Sequence, residues 1–111
     1  MLKREFRISK AGDYKRVYEN GQRFSGKYVI IYIKENGLGY NRFGFVASKK
    51  IGSAVVRNKL KRQLRAIINN EKNNLKGNFD VVIVCRRNVD GCTFSILYKD
   101  VMKILKKAGL G

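Results

Sequence analysis

A chain of 111 residues has the length of a single domain, and 44% hydrophobic content with six Phe and six Tyr supports a folded core over a disordered chain. Twenty-five Lys and Arg against eight Asp and Glu leave a formal charge of +17, a self-repulsion that points to a polyanionic partner, with nucleic acid first and an anionic membrane surface second. The absence of histidine excludes a His-based acid/base pair or triad, and no apolar run reaches the roughly 18 residues of a spanning helix.

Residues 1–12 read as a basic N-terminal arm that begins extended, with no leader-peptide pattern. "DYKRVYENG" then predicts a short helix closed by Gly21, with Tyr14, Val17 and Tyr18 on one face. "KYVIIYIKENGLGYNRFGFVASKK" predicts two strands, about 27–34 and 42–49, joined by a turn at Asn36-Gly37; a further short strand is expected near Phe24. Gly52-Ser53 offers an N-cap for a helix from Ala54 to about Lys72. "FDVVIVCR", 79–86, is continuously apolar, as a strand covered on both faces should be. Phe94, Leu97, Tyr98, Val101, Ile104 and Leu105 mark an amphipathic helix at 93–107. The expected product is one domain over 1–111 with a mixed sheet and helices packed on it.

The segment "GSAVVRNKLKRQLRAI" carries the most specific signal. A helical period puts Arg57, Lys61 and Arg65 on one face with Asn58 and Arg62, and Val56, Leu60, Leu64 and Ile67 on the opposite face. An ordinary solvated helix face mixes signs, because like charges one turn apart repel. Residues 49–65 contain no Asp or Glu at all, and Lys49 and Lys50 extend the strip. Phosphate binding is the better reading, helped by the positive N-terminal end of the helix behind Gly52. The element just upstream is a strand and not a second helix, so helix-turn-helix reading of DNA is not expected.

Tyr14 and Tyr18 share a helical face, and Tyr32 shares strand parity with Ile30 and Tyr28. Two uses remain open: these rings are core, or they line a stacking platform for a single strand beside Lys15 and Arg16. Catalytic groups are harder to find. The carboxylates, Glu5, Asp13, Glu19, Glu35, Glu71, Asp80, Asp90 and Asp100, are scattered, and no phosphate-cradling Gly-Lys-Ser/Thr loop occurs. Cys85 and Cys92 form no CxxC and lack His partners, so no zinc site is expected; Cys85 reads as a reduced, buried thiol of a cytoplasmic protein. No residue of this chain is assigned a catalytic or metal-binding role.

"SKKIGSAVVRNKLKRQLR", 48–65, resembles the signature segment of the bacterial ribonuclease P protein component. The pattern Ala-x-x-Arg-Asn-x-φ-Lys-Arg-x-φ-Arg (φ apolar) is matched at Ala54, Arg57, Asn58, Leu60, Lys61, Arg62, Leu64 and Arg65, and the similarity runs over about residues 4–108. One departure is Lys59, where the family's Arg-Asn-Arg core has arginine; charge is kept and a bidentate fork is lost.

The resemblance implies an α+β fold of order α-β-β-β-α-β-α, with a mixed central sheet and a left-handed β-α-β crossover (ribosomal protein S5 domain 2-like). It implies a protein subunit of an endoribonuclease whose catalysis resides in the RNA subunit. That RNA carries the Mg²⁺-dependent hydrolysis removing the 5′ leader from precursor tRNA, with Mg²⁺ held mainly by RNA and substrate. By position, Lys49, Lys50, Arg57, Asn58, Lys59, Lys61, Arg62 and Arg65 would face the catalytic RNA, and Tyr14, Tyr18 and Tyr32 would line the cleft for the single-stranded leader. The partners implied are ribonuclease P RNA and the precursor leader, with no membrane and no DNA. A ribosomal-type RNA binder would use the same basic face without the cleft. A stand-alone metal nuclease would cleave RNA with Mg²⁺ alone.

Overall fold

The strand "FDVVIVC" takes the centre of the sheet because nothing polar interrupts it between Asp80 and Cys85. In the computed structural model, which describes residues 3–89 and 91–111, it forms β4 (Phe79–Cys85), with Val81, Val82 and Ile83 fully buried. Met1 and Leu2 of the arm, and the carboxylate Asp90, lie outside the described residues. β4 is flanked by β2 (Val29–Glu35), antiparallel, and by β3 (Arg42–Val46), parallel; β1 (Gln22–Ser25) pairs antiparallel with β2. The order β1-β2-β4-β3 makes a mixed four-stranded sheet.

Residues 27–49 do hold two strands joined by a turn, as expected, but the two do not pair with each other. The turn exists, with Gly37 and Gly39 at positive φ and the Asn36 side-chain Oδ1 accepting the Leu38 N–H at 2.9 Å. Yet β4 inserts between β2 and β3, since the most apolar strand gains most from two strand neighbours and two covered faces. The second strand also ends at Val46 and not at 49. Ser48 to Ile51 form a turn, closed by the Ile51 N–H on the Ser48 carbonyl, that seats Ile51 in the core and aims the chain into the next helix.

Helices cover both faces. α2 (Ala54–Glu71) and α3 (Phe94–Lys107) pack Leu60, Leu64, Ile67, Leu97, Val101 and Leu105 against Val29, Ile31, Ile33, Val81, Ile83 and Cys85. Each helix starts on a hydroxyl: Ser53 Oγ, the expected cap, accepts the Val56 N–H at 3.4 Å, and Thr93 Oγ1, read from sequence as already helical, accepts the Ile96 N–H at 3.2 Å. α1 (Ala11–Asn20) crosses the other face alone, burying Val17 on Val82. One ten-residue helix cannot cover a four-stranded sheet, and this shortfall creates the site.

α1 begins at Ala11, inside the segment read as arm, and the rest of the arm is not simply extended. Arg4–Phe6 make a 3₁₀ turn, Arg7 bridges to Phe43, and the Ile8 N–H donates to the Phe43 carbonyl at 2.9 Å, with Ile8 buried. The arm thus caps the exposed edge of β3. Gly21 closes α1, but not in the left-handed conformation usual for such a glycine: its φ is −85° and ψ 170°. Glycine is needed there because a Cβ would stand 2.5 Å from the Val17 carbonyl oxygen and 2.8 Å from that of Ile33.

Candidate nucleic-acid interface

The basic strip of α2 is laid out as its period requires. Arg62, Asn58 and Lys59 are exposed, Arg57, Lys61 and Arg65 are half-buried, and Lys49 and Lys50 are exposed in the preceding turn. Among the described residues none of these seven cations makes an ion pair with a carboxylate; the ion pairs found join Lys15–Glu19, Arg16–Asp13, Arg42–Asp13 and Arg42–Asp80. Arg57 Nε donates to the Gly52 carbonyl at 3.3 Å, which holds the guanidinium over the first turn of the helix. Arg65 lies over the Phe45 ring at 6.0 Å, and its buried Nε finds no acceptor among the described residues. A buried guanidinium N–H without an acceptor favours an incoming anion.

Lys59 does not join this strip. It points to another side of α2, lining a cavity of about 320 Å³ with Val56, Gln63, Val89 and Thr93 near the start of α3. Standing two residues from both Arg57 and Lys61, about 200° around the helix, is enough to turn it away.

On the opposite face of the sheet the strand register sets out the floor of a cleft. Arg23, Tyr32, Val82 and Gly44 form one row across β1, β2, β4 and β3; Ser25, Ile30, Val84 and Val46 form the next. α1 lies over the first row. Tyr18 meets Tyr32 edge-to-face, ring centroids 4.9 Å apart, and Tyr14 lies on Gly44, where a Cβ would stand 2.6 Å from the phenol ring. Tyr14 Oη donates to the Ile8 carbonyl at 3.2 Å. Ile30, Val84 and Val46 remain only half-covered, and Ala11, Tyr14, Lys15, Tyr18 and Val46 border an open hollow. Tyr18 keeps 40% of its surface in solvent.

Partial burial raises the phenol pKa of both Tyr14 and Tyr18; at Tyr18 the neighbouring tyrosines Tyr14 and Tyr32 add to the effect. These hydroxyls therefore stay neutral near pH 7 and put no negative charge in the cleft. Burial also drives the Cys85 thiol up to about 11, so it is protonated and inert, as its place in the core implies. Tyr28, which parity had placed beside Tyr32, precedes β2 and packs instead against the larger core.

The cleft and the basic strip meet. Tyr14, Gly44 and Phe45 share a groove with Lys61 and Arg65 of α2 and with Arg4 and Arg7 of the arm. Arg42 does not add free charge there. Its guanidinium grips Asp80 through Nε and Nη2, at 2.8 and 2.6 Å, and reaches Asp13 of α1 at 3.5 Å, and the Asp80 contact raises its pKa. Asp13 and Asp80 are so neutralised, and Glu19, which also borders the hollow, pairs with Lys15 at 3.8 Å. No group of three or more His, Cys, Asp or Glu among the described residues is placed to hold a metal ion.

A basic helix thus runs into a tyrosine-bordered cleft, and comparison with known proteins decides the family. The profile of the family described as Ribonuclease P matches residues 2–109. The ribonuclease P protein component of Syntrophomonas wolfei is 46% identical over 110 residues, covering 99% of this chain and 92% of the relative. The chain belongs to the ribonuclease P protein family. Its relative in Caldanaerobacter subterraneus is 38% identical over 94% of this chain and 90% of that one. Solved ribonuclease P proteins have the same fold: that of Staphylococcus aureus superposes with a TM-score of 0.89 at 28% identity, over 95% of this chain and 96% of the other. That of Thermotoga maritima gives 0.85 at 28% identity, over 91% and 96%.

In this member of the family, sequence reading missed three contributors to the joined surface: Arg23, Arg4 and Arg7. Arg23 enters the cleft row only because β1 pairs with β2 in that register. Arg4 and Arg7 reach the groove because the arm bridges to β3. Neither pairing leaves a local pattern in a single chain. No described helix is long and apolar enough to cross a membrane.

Proposed function

We propose that this protein binds the ribonuclease P RNA through the α2 strip and holds the single-stranded 5′ leader of precursor tRNA in the cleft between α1 and the sheet. It thereby assists removal of the leader, the step that matures the tRNA 5′ end in the cytoplasm. The carrying observation is that the cations of α2, unpaired among the described residues, and the half-open tyrosine cleft run into one another at Arg65, Phe45 and Tyr14. Lys49, Lys50, Arg57, Asn58, Lys61, Arg62 and Arg65 would contact the RNA subunit. Lys59 would meet it on a second side of the helix. Tyr18 and Tyr32, already perpendicular to one another, offer ring surfaces to unstacked bases, and Tyr14 closes the end nearest the arginines.

The hydrolysis itself belongs to the RNA. Mg²⁺, supplied with RNA and substrate, would activate water and stabilise the leaving oxygen. The polypeptide neutralises phosphate charge, orients the leader and so raises the affinity for leader-bearing substrate. Binding of precursor and mature tRNA to the assembled ribonucleoprotein tests this. Tyr32→Ala and Tyr18→Ala should each weaken precursor binding by about 1–3 kcal/mol, the worth of a base stacked on an aromatic ring, and leave mature tRNA unaffected. Equal loss for both substrates would contradict leader binding in the cleft. That result would favour a general RNA binder of ribosomal type.

A further inference from the structure

We infer that the arm face carries a second single-strand subsite, a pocket for one unpaired leader base beyond the cleft, built by Phe6, Tyr40, Lys72 and Asn73. The inference rests on the reading that the leader occupies the cleft. The pocket has a volume of about 220 Å³, below the ~300–1,000 Å³ of sites for drug-sized ligands and suited to a single planar group. Phe6 and Tyr40 stand edge-to-face, centroids 5.7 Å apart, and the Lys72 ammonium lies 5.8 Å from the Phe6 ring. Aromatic surface with an adjoining cation is the chemistry of base stacking in single-strand binders.

Two observations set Tyr40 apart from a ring that only shields the core. It keeps 39% of its surface exposed. Its loop is also held rigid: the Asn36 amide donates to the Tyr40 carbonyl at 3.1 Å, the Gly39 N–H donates to Asn78 Oδ1 at 2.7 Å, and Asn41 is tied to the Lys76 carbonyl and the Phe79 N–H. The backbone that carries the ring is therefore fixed, and the ring itself rests edge-to-face on Phe6, which lowers the entropy lost on binding.

The path from the cleft is continuous. Tyr14 belongs to both the cleft and the cationic groove. Arg4 and Arg7 border both that groove and the arm face, and Tyr40 borders both the arm face and the pocket. Along this track cations link the aromatic rings at its two ends, with Glu19 beside the hollow and Glu5 beside the arm as the bordering acids. Duplex RNA would call for cations alone, since its bases are stacked inside. The leader, single-stranded and already placed at Tyr14, is the occupant that fits.

The test uses the complete ribonucleoprotein with precursor tRNAs whose leaders are shortened stepwise, alongside mature tRNA. Tyr40→Ala, and independently Lys72→Glu, should weaken long-leader precursors about fivefold or more and leave the shortest leader and mature tRNA unchanged. Tyr18→Ala should weaken every leader-bearing substrate. Wild-type binding of all leader lengths by both pocket variants would overturn the subsite. So would equal losses on mature tRNA, or weakened assembly with the RNA subunit, which would assign the pocket to that RNA. A silent Tyr18→Ala beside a length-dependent Tyr40→Ala would instead remove the cleft reading and leave the arm pocket standing.

Discussion

Gly44 shows how closely the cleft depends on single atoms. Tyr14 lies on it because glycine leaves no Cβ, and an added methyl would have to displace the ring or the whole of α1. Gly44→Ala should cost about 1–3 kcal/mol in stability through that overpacking. It should also weaken precursor binding, because the residue that moves is a wall of the cleft. Melting temperature and leader affinity, measured on the same sample, check both effects; a stable variant with normal leader affinity would contradict the packing described. At this scale much of the site was legible. Arg57, Lys61, Arg65 and Arg62 could be placed on one face by period alone, and Tyr14 and Tyr18 by their spacing. That Tyr14 rests on a glycine and not on a side chain was not legible, because the strand it crosses is distant in sequence.

At the scale of elements, α3 is tied to the rest of the fold by a carboxylate. Asp100 accepts backbone N–H groups from Lys27, Tyr28 and Val29, at 3.1, 2.8 and 3.2 Å, and so orders the turn between β1 and β2. Charge-assisted bonds of this kind are the stronger class. Asp100→Ala should lower stability by about 2 kcal/mol or more, since hydrogen bonds to a charged group contribute roughly 1.5–3 kcal/mol each. Denaturant unfolding reads the loss, and a change within about 0.5 kcal/mol would contradict it. The helices were legible because the apolar period is clear in both and, for α2, coincides with the cap at Ser53. The strands were found, but not their pairing. Asn36-Gly37 is a hairpin signal in isolation, and only competition for the centre of the sheet shows that β4 takes the place beside β2. Left to local signals, β1 could not be given a register, so Arg23 went unrecognised.

For the whole molecule, charge decides behaviour. A net +17 lies on a chain with a radius of gyration of 12.9 Å, and the α2 strip has no internal counter-charge among the described residues. Folding alone must bear that repulsion, whereas binding a polyanion such as the proposed RNA partner would relieve it. Sulfate should therefore raise the melting temperature of the free protein by about 4 °C or more, equivalent to roughly 1 kcal/mol for a domain of this size. Chloride at the same ionic strength should do less, because it cannot bridge several donors. Identical melting in the two salts would show that the strip is not a built anion site.

The central claim is that the polypeptide supplies binding and the RNA supplies the chemistry. It is tested most directly by single-turnover cleavage of a precursor tRNA at low Mg²⁺, comparing protein alone, a bacterial ribonuclease P RNA alone, and the two together. The account predicts no cleavage by the protein, slow cleavage by the RNA, and much faster cleavage by the mixture at the same bond. Cleavage by the purified protein, or a mixture no faster than the RNA, would contradict it.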